Sequence, residues 1–381
     1  MASSKKILMV VNVDWFFLSH RLPVALALKE KGYDVTIIAT DTGDADLIRE
    51  NGLSFIDMPD LEKNRSLLFE LQTVAHLAEL YNKLKPDLVH HVTIRPVLYG
   101  SLAARLAGVP AVVNAMSGLG YVYTHHTFKS KMVRSVLDRL FRIGFSHSNS
   151  KLILQNKDDL QLFLKRELLP ETNIELIRGS GVDTQHFYPN QTKNKTISVA
   201  LIGRMLWDKG VHEFIEAGKI LSDRGVQFEF HLYGAPYASN PMSIPESEIQ
   251  SWKILTWLTY HGHVNDISIE LKKIDIVCLP SYREGLPKAL LEAASAGKPI
   301  VTTDAPGCRE VVEDGVNGFL VPARNSLAIA EKIELLINDE SLRQRFGEAG
   351  RIKVIQEFSE EIVISKTLDL YDEQLYGHSN K

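Results

Sequence analysis

Two cysteines, Cys278 and Cys308, are all that 381 residues contain. That excludes a disulfide framework and a thiolate cage for a structural metal, and it is the usage of a chain kept in a reducing compartment. Long apolar runs are lacking too. No stretch reaches the roughly 18–20 apolar residues that a spanning helix needs. The opening run Ile7–Val13 is short, and Asp14 and His20 follow it, a pattern unlike a secretory leader. The expected location is cytoplasmic, with any membrane contact made peripherally. A dominant charge is missing as well: the net charge of -4 gives no case for nucleic-acid binding. The imbalance is uneven, with 22 Lys and Arg against 20 Asp and Glu in residues 1–190, so the acidic excess lies in the remainder. The first half is therefore the place to meet an anionic surface. Repeats with periods of 20–50 residues and low-complexity tracts are absent.

What remains is an ordinary globular composition, 45% hydrophobic and 24% charged. Its length exceeds what one core supports, so two domains are expected. The chain alternates between two periodicities. Lys6–Val13 reads as a strand, Ser19–Lys31 as a helix stopped by Gly32, and Asp34–Thr40 as a strand. A helix over Ser66–Leu84, a strand over Asp87–His91, a helix over Val97–Ala107 and strands at Ala111–Asn114 and Lys151–Gln155 continue the pattern, followed by a helix over Lys157–Lys165. A second series follows the turn-rich Tyr188–Lys195, with strands at Ile197–Ile202, Phe228–Tyr233, Ile274–Leu279 and Ile300–Thr303 and helices at Val211–Asp223 and Leu286–Ala296. The spacing predicts an α/β chain of two doubly wound parallel-sheet domains, 1–185 and 186–360, facing across a cleft. The tail Glu360–Tyr376 reads as a helix, and the segment 361–381 is expected to pack back across the linker. Ligands of such sheets sit beyond the carboxyl ends of the strands.

Five clusters stand at such ends. Gly203-Arg204-Met205-Leu206-Trp207-Asp208-Lys209-Gly210 joins a strand to a helix; glycine admits a ligand to the backbone, and Arg204 and Lys209 suit a diphosphate. A solvated turn with two surface cations fits equally. In Pro280-Ser281-Tyr282-Arg283-Glu284-Gly285-Leu286-Pro287 and the helix behind it, Glu284 and Glu292 are eight apart, and Pro287 suits a first helical turn. Carboxylates there can hold ribose hydroxyls, or be plain dipole-favoured and exposed acids. Gly179–Thr184 is a glycine-rich crossover with an Asx-type turn at Asp183, or simply a linker turn. His261-Gly262-His263-Val264-Asn265-Asp266 lets Val264 present its backbone to a flat ring; its His pair lacks a third metal ligand. Asp304–Glu310 is a Pro-Gly turn into a helix.

In this order, with Asn317-Gly318 behind them, the clusters closely resemble the nucleotide-sugar half of glycosyltransferase family 4. The resemblance covers the whole second half, and Asp183 extends it across the linker. It implies a GT-B fold of two Rossmann-like domains, retention of anomeric configuration, a UDP-sugar donor and no metal cofactor. Carried over, it makes Glu284, Arg204 and Lys209 the catalytic group. Arg204 and Lys209 would hold the donor diphosphate, Glu292 the ribose, and Glu284 the transferred sugar with the backbone of Gly285, Leu286 and Pro287. Gly203 would line the donor loop and Val264 the base.

The first half departs from many members, with Val13-Asp14-Trp15-Phe16 where a Gly-Gly loop is common and Asn114-Ala115-Met116-Ser117-Gly118-Leu119-Gly120 where a histidine is common. Its His20-Arg21-Leu22-Pro23 and Gly118-Leu119-Gly120, with Trp207-Asp208-Lys209-Gly210-Val211, resemble the bacterial subgroup that extends undecaprenyl-diphosphate-linked glycans, of the N-acetylgalactosaminyltransferase, O-antigen and capsule type. That implies transfer of a hexose or N-acetylhexosamine to a lipid-linked saccharide at the inner face of the cytoplasmic membrane. His20, Arg21, Thr93, Arg95 and Ser117 are the candidate acceptor contacts, with an ordinary loop ion pair the alternative for the first four. Thr127–Phe145 suits an anionic membrane surface: Phe128, Met132, Val136 and Leu140 recur every four residues, and Lys129, Lys131, Arg134, Arg139 and Arg142 outnumber Asp138. A core-packed helix with a solvated basic face is the equal alternative.

Rivals remain. Asp44-Ala45-Asp46 could be the acidic pair of a metal-dependent GT-A transferase, though Asp at a helix start is more simply a cap. A GT-B epimerase or phosphorylase, a transferase with a soluble acceptor, and a non-catalytic nucleotide-sugar sensor share the same clusters.

Overall fold

The computed structural model describes residues 4–58, 61, 67–118, 128–189 and 194–377, without the side chains of residues 67 and 128–130. Leu119, Gly120 and Thr127 of the clusters above, and the side chains of Phe128 and Lys129, lie outside the described residues.

Two compact units emerge, Met1–Ser180 with Glu361–Lys381, and Gly181–Glu360. The division falls at Ser180 rather than at 185 because Val182 is hydrogen-bonded into the second unit. Its N–H donates to Phe358 O at 3.0 Å, and its carbonyl accepts from Glu360 N at 3.1 Å.

In the first unit seven strands pair in parallel: β1 Lys6–Val13, β2 Asp34–Thr40, β3 Ser54–Asp57, β4 Leu88–Val92, β5 Ala111–Met116, β6 Ser150–Leu154 and β7 Ile174–Leu176, in the order β3-β2-β1-β4-β5-β6-β7. Helices cover both faces, so the central strands read as unbroken apolar runs and Ile7–Val11 are all buried. On one face Leu8, Val10 and Val89 pack with Leu77, Tyr81, Val97 and Phe141 of the helices Leu67–Leu84, Ile94–Ala107 and Phe128–Phe145. On the other, Ile7, Met9 and Val113 meet Val24 and Leu28 of the helix Leu22–Glu30 and Val363, Leu370 and Tyr371 of the helix Glu360–Tyr376. The two-residue pleat sends the adjacent β4 histidines to opposite faces. His91 meets Tyr81 Oη and Asn114 Oδ1 on the first face, and His90 bonds Tyr371 on the second.

The second unit is a six-stranded parallel sheet around one core: β8 Ser198–Ile202, β9 Glu229–Tyr233, β10 Leu258–Gly262, β11 Ile276–Leu279, β12 Ile300–Thr303 and β13 Gly318–Val321, ordered β10-β9-β8-β11-β12-β13.

Three details depart from expectation. The loop expected at Val13–Phe16 is the start of a helix, Asp14–His20, followed separately by Leu22–Glu30. Arg21, at φ -133°, breaks the helical path between them, and Pro23 sits in the second helix's first turn. The strands β3, β7, β10 and β13 escaped the sequence pattern because they are the four edges of the two sheets, where partly exposed residues interrupt the apolar run. The helix expected from Leu286 begins at Lys288, with Pro287 as its cap. Among the described residues no helix is long and apolar enough to cross a membrane.

Candidate active site

The order of the second sheet reverses between β8 and β11, and the loops leaving their carboxyl ends meet there. Gly203 follows β8 directly, and the chain turns through the single 3-10 turn Trp207–Lys209 into Gly210. Gly210 has φ 75°, and a Cβ there would lie 2.1 Å from Pro280 O on the neighbouring loop. Only glycine lets the two loops approach so closely.

That approach brings the side chains together. Lys209 Nζ donates to Glu284 Oε1 at 2.5 Å, with the two side chains 18% and 11% exposed. Ser281, fully buried, donates from Oγ to the same oxygen at 2.7 Å. Tyr282 N donates to Asp208 O at 2.9 Å and ties the loops through the backbone. A third loop braces the pair: Glu284 N donates to Pro306 O at 3.0 Å, and a Cβ on Gly307 would fall 2.7 Å from the carbonyls of both Glu284 and Gly285.

The charges are concentrated. Burial raises the Asp208 carboxyl, Lys209 opposes that, and Glu284 adds to it. Asp208 Oδ1 is buried with no hydrogen-bond partner among the described residues. Arg204 is exposed at the loop's start, its guanidinium 5.1 Å from the Tyr237 ring centroid, a cation–π distance. Beyond the pair, Tyr282 Oη donates to Glu213 Oε1 at 2.6 Å and carries the Arg324 guanidinium 4.1 Å from its ring centroid.

Glu292 stands on the helix Lys288–Ser295, its side chain 12% exposed and Lys288 Nζ 3.9 Å away. Burial pushes its carboxyl up to about 7, with Lys288 and His186 pulling down and Asp266 and Glu360 pushing up. His186 arrives through the turn made by Asp183, whose Oδ1 accepts from Gln185 N at 2.8 Å and His186 N at 2.9 Å. His186 Nε2 then meets Asp266 Oδ1 at 3.1 Å, on the loop that carries half-buried Val264.

Gly285, Leu286 and Pro287 are buried beside Glu284. Proline has no N–H, so Pro287 offers only its ring and a carbonyl that accepts from Leu290 N at 3.0 Å. Neither Arg204 nor Glu292 hydrogen-bonds the Lys209–Glu284 pair among the described residues. The sequence assigned no role to Ser281, Asp208, Tyr282, Glu213, His186 or Arg324. Asp208 adjoins Lys209 and Ser281 lies in the same quoted cluster as Glu284, so both were within reach, whereas Glu213 and Arg324 carry no local pattern.

The first unit holds the other candidates. His20 stacks on Phe16 with ring centroids 4.1 Å apart, and its Nδ1 lies 2.6 Å from Ser19 Oγ. Arg95 pairs with Glu70 at 2.8 Å, and Tyr99 donates to the same carboxylate. Thr93 stands at the β1/β4 reversal with φ 75°, a strained value for a β-branched residue. Ser117 Oγ is buried without a partner among the described residues. Arg21 is only 4% exposed, so its guanidinium points into the core. Asp44 occupies the N-cap position of the helix Ala45–Glu50 without a side-chain cap bond, and Asp46 pairs with Arg49 at 2.7 Å.

On the helix Phe128–Phe145, Phe141 and Phe145 are buried, while Met132, Val133 and Val136 are exposed beside Lys131 and Arg139.

Residues 183–353 match the glycosyl transferases group 1 family, and residues 6–156 match the glycosyl transferase 4-like family. The chain is 29% identical to the N,N'-diacetylbacillosaminyl-diphospho-undecaprenol alpha-1,3-N-acetylgalactosaminyltransferase of Campylobacter jejuni, over 93% of this chain and 97% of that one. It is 26% identical to the UDP-Gal:alpha-D-GlcNAc-diphosphoundecaprenol alpha-1,3-galactosyltransferase of Escherichia coli, over 90% of each. The fold is similar to that of Anabaena HepE solved in complex with UDP, at a TM-score of 0.78 and 18% identity over 97% of this chain and 100% of that one. The chain is thus a glycosyltransferase of GT-B fold, its first unit of the glycosyl transferase 4-like kind and its second of group 1.

Proposed function

We propose that this enzyme moves a hexose or N-acetylhexosamine, with retention, from a UDP-sugar to a saccharide carried on a polyprenyl diphosphate, in bacterial surface-glycan synthesis. The observation that carries the proposal is the Lys209–Glu284–Ser281 cluster at the strand reversal of the second sheet. In this scheme Lys209 and Arg204 compensate the charge that develops on the departing diphosphate, the role a bound cation plays elsewhere, so transfer is metal-independent. Lys209 also orients Glu284 toward the transferred sugar. Glu292 accepts ribose hydroxyls, Val264 flanks the base, and Gly203, Gly285, Leu286 and Pro287 shape the walls. Two relatives whose names specify diphospho-undecaprenol acceptors support the choice of acceptor.

His20, Arg95 and Ser117 are the proposed acceptor contacts in the first unit; Arg21, expected among them, is turned into the core and is not one of them. The helix Phe128–Phe145 rests on the anionic inner face of the membrane, supported by the exposed Met132, Val133 and Val136 beside Lys131 and Arg139.

The test is transfer from a panel of UDP- and GDP-sugars to synthetic polyprenyl-diphosphate-linked and soluble saccharides, with the product's anomeric configuration read by NMR. Turnover of a UDP-sugar onto the lipid-linked acceptor with retention is expected. Turnover only with soluble acceptors overturns the acceptor assignment, and donor binding without transfer overturns the catalytic one.

A further inference from the structure

Arg21 poses an electrostatic problem inside the first unit. It caps the N-terminus of the nine-residue helix Leu22–Glu30, and its side chain turns inward, 4% exposed. Nη1 donates to His20 O at 3.2 Å, whereas Nε is buried with no partner among the described residues. His90, 1% exposed, bonds Tyr371 Oη through Nδ1 and leaves Nε2 equally without a partner. Arg21, His90, Gly179 and Thr367 line one narrow cavity with Val24 and Ile153, and it has room for about one water-sized guest.

No carboxylate lines this cavity. Burial lowers the Arg21 guanidinium only to about 10, so it is charged at neutral pH. Burial pushes the Tyr371 phenol up and holds His90 well below the usual histidine range, so both are neutral. A buried cation among neutral groups costs several kcal/mol unless an anion accompanies it. None of the described residues lining the cavity supplies one.

We propose that this cavity is a binding site for a small monovalent inorganic anion of chloride size, held by Arg21 and by the Nε2–H of His90. The tautomer agrees, because His90 Nδ1 is then the acceptor for the Tyr371 hydroxyl. The N-terminal field of the helix Leu22–Glu30 favours negative charge at the same spot. Polyatomic diphosphates exceed the space, which separates this site from any acceptor contact. Because Thr367 and Tyr371 belong to the helix Glu360–Tyr376, the anion also fastens that helix to the sheet.

Thermal unfolding of the full chain in sodium chloride, sodium bromide and sodium gluconate at equal ionic strength tests this. The expected midpoint is about 3 °C or more higher in the halides, and Arg21→Met abolishes the halide increment. Equal midpoints for the unmodified chain, or an increment that survives in Arg21→Met, overturn it. Should Arg21→Met not fold, crystals of the unmodified chain soaked in bromide decide. An anomalous peak between Arg21 and His90 supports the site, and a water there alone overturns it.

Discussion

Lys209 and Glu284, 75 positions apart in the chain, share a 2.5 Å contact because Gly210 lets one loop press against Pro280 of the other. The pair converts two unremarkable loop residues into one preorganised unit. Its Coulombic strength comes from being mostly shielded from water, since a fully exposed pair is worth little.

Removing either end of the proposed donor site should slow transfer. Lys209→Ala and Glu292→Ala are each expected to reduce kcat/KM for the nucleotide sugar by at least about tenfold, the effect of losing ~1.4 kcal/mol in the transition state. Steady-state kinetics check this, and near-unchanged constants in both variants refute the assignment. Activity that is lost with EDTA and restored by manganese would transfer the charge-compensating role to a metal.

Glu292 makes the same site sensitive to pH. Its folded value, about 7, lies above the ordinary glutamate value of 4.5. Its contribution to stability is therefore complete below the unfolded value and is lost as pH rises through about 7. Glu292→Gln should abolish that decline, so the variant gains on the parent between about pH 5 and 8 in thermal melts. UDP binding by the ionised carboxylate should strengthen over the same rise in the parent and stay flat in Glu292→Gln by calorimetry. Parallel pH profiles for the two proteins would rule this out.

How much of this was legible beforehand follows from range. Lys6–Val13, Val211–Asp223 and Glu360–Tyr376 matched their expected bounds because long apolar periods are local properties. The glycine-flanked cations and the two glutamates were visible for the same reason. The Ser281 bond to Glu284, the Tyr282–Glu213 contact and the His186–Asp266 bridge were not, because each depends on which loops the sheet order makes neighbours. Arg21 shows the opposite limit: a cation in a polar-looking stretch reads as a surface ligand until its side chain is seen to face inward.

Asp14 should prove structural. Burial pushes its carboxyl up, but the Thr42 hydroxyl and the N–H groups of Thr42, Asp44 and Trp15 outweigh burial and hold it below the usual carboxylate range. Stability from this group is present above the unfolded value and is lost as pH falls through the folded one. Asp14→Asn is expected to cost about 2 kcal/mol in urea unfolding at neutral pH, and less in acid. A cost unchanged by acid would count against it.

Vesicle co-sedimentation addresses the membrane face. Replacing Lys131 and Arg139 with Gln should weaken binding to anionic lipid by about 1 kcal/mol per charge. Met132→Ser with Val136→Ser should weaken it on neutral and anionic vesicles alike. Binding indifferent to both pairs would assign this helix to another role.

The helix Glu360–Tyr376 has a consequence for synthesis. Tyr371 meets His90 across 281 positions, so a ribosome releases the first unit's sheet long before the residue that finishes it. The second unit, Gly181–Glu360, is continuous in the chain and can close as soon as it emerges. The part made first is thus completed last. A chain that ends near residue 360 would carry a complete second unit and an open seam over His90, the point at which a chaperone would find its client.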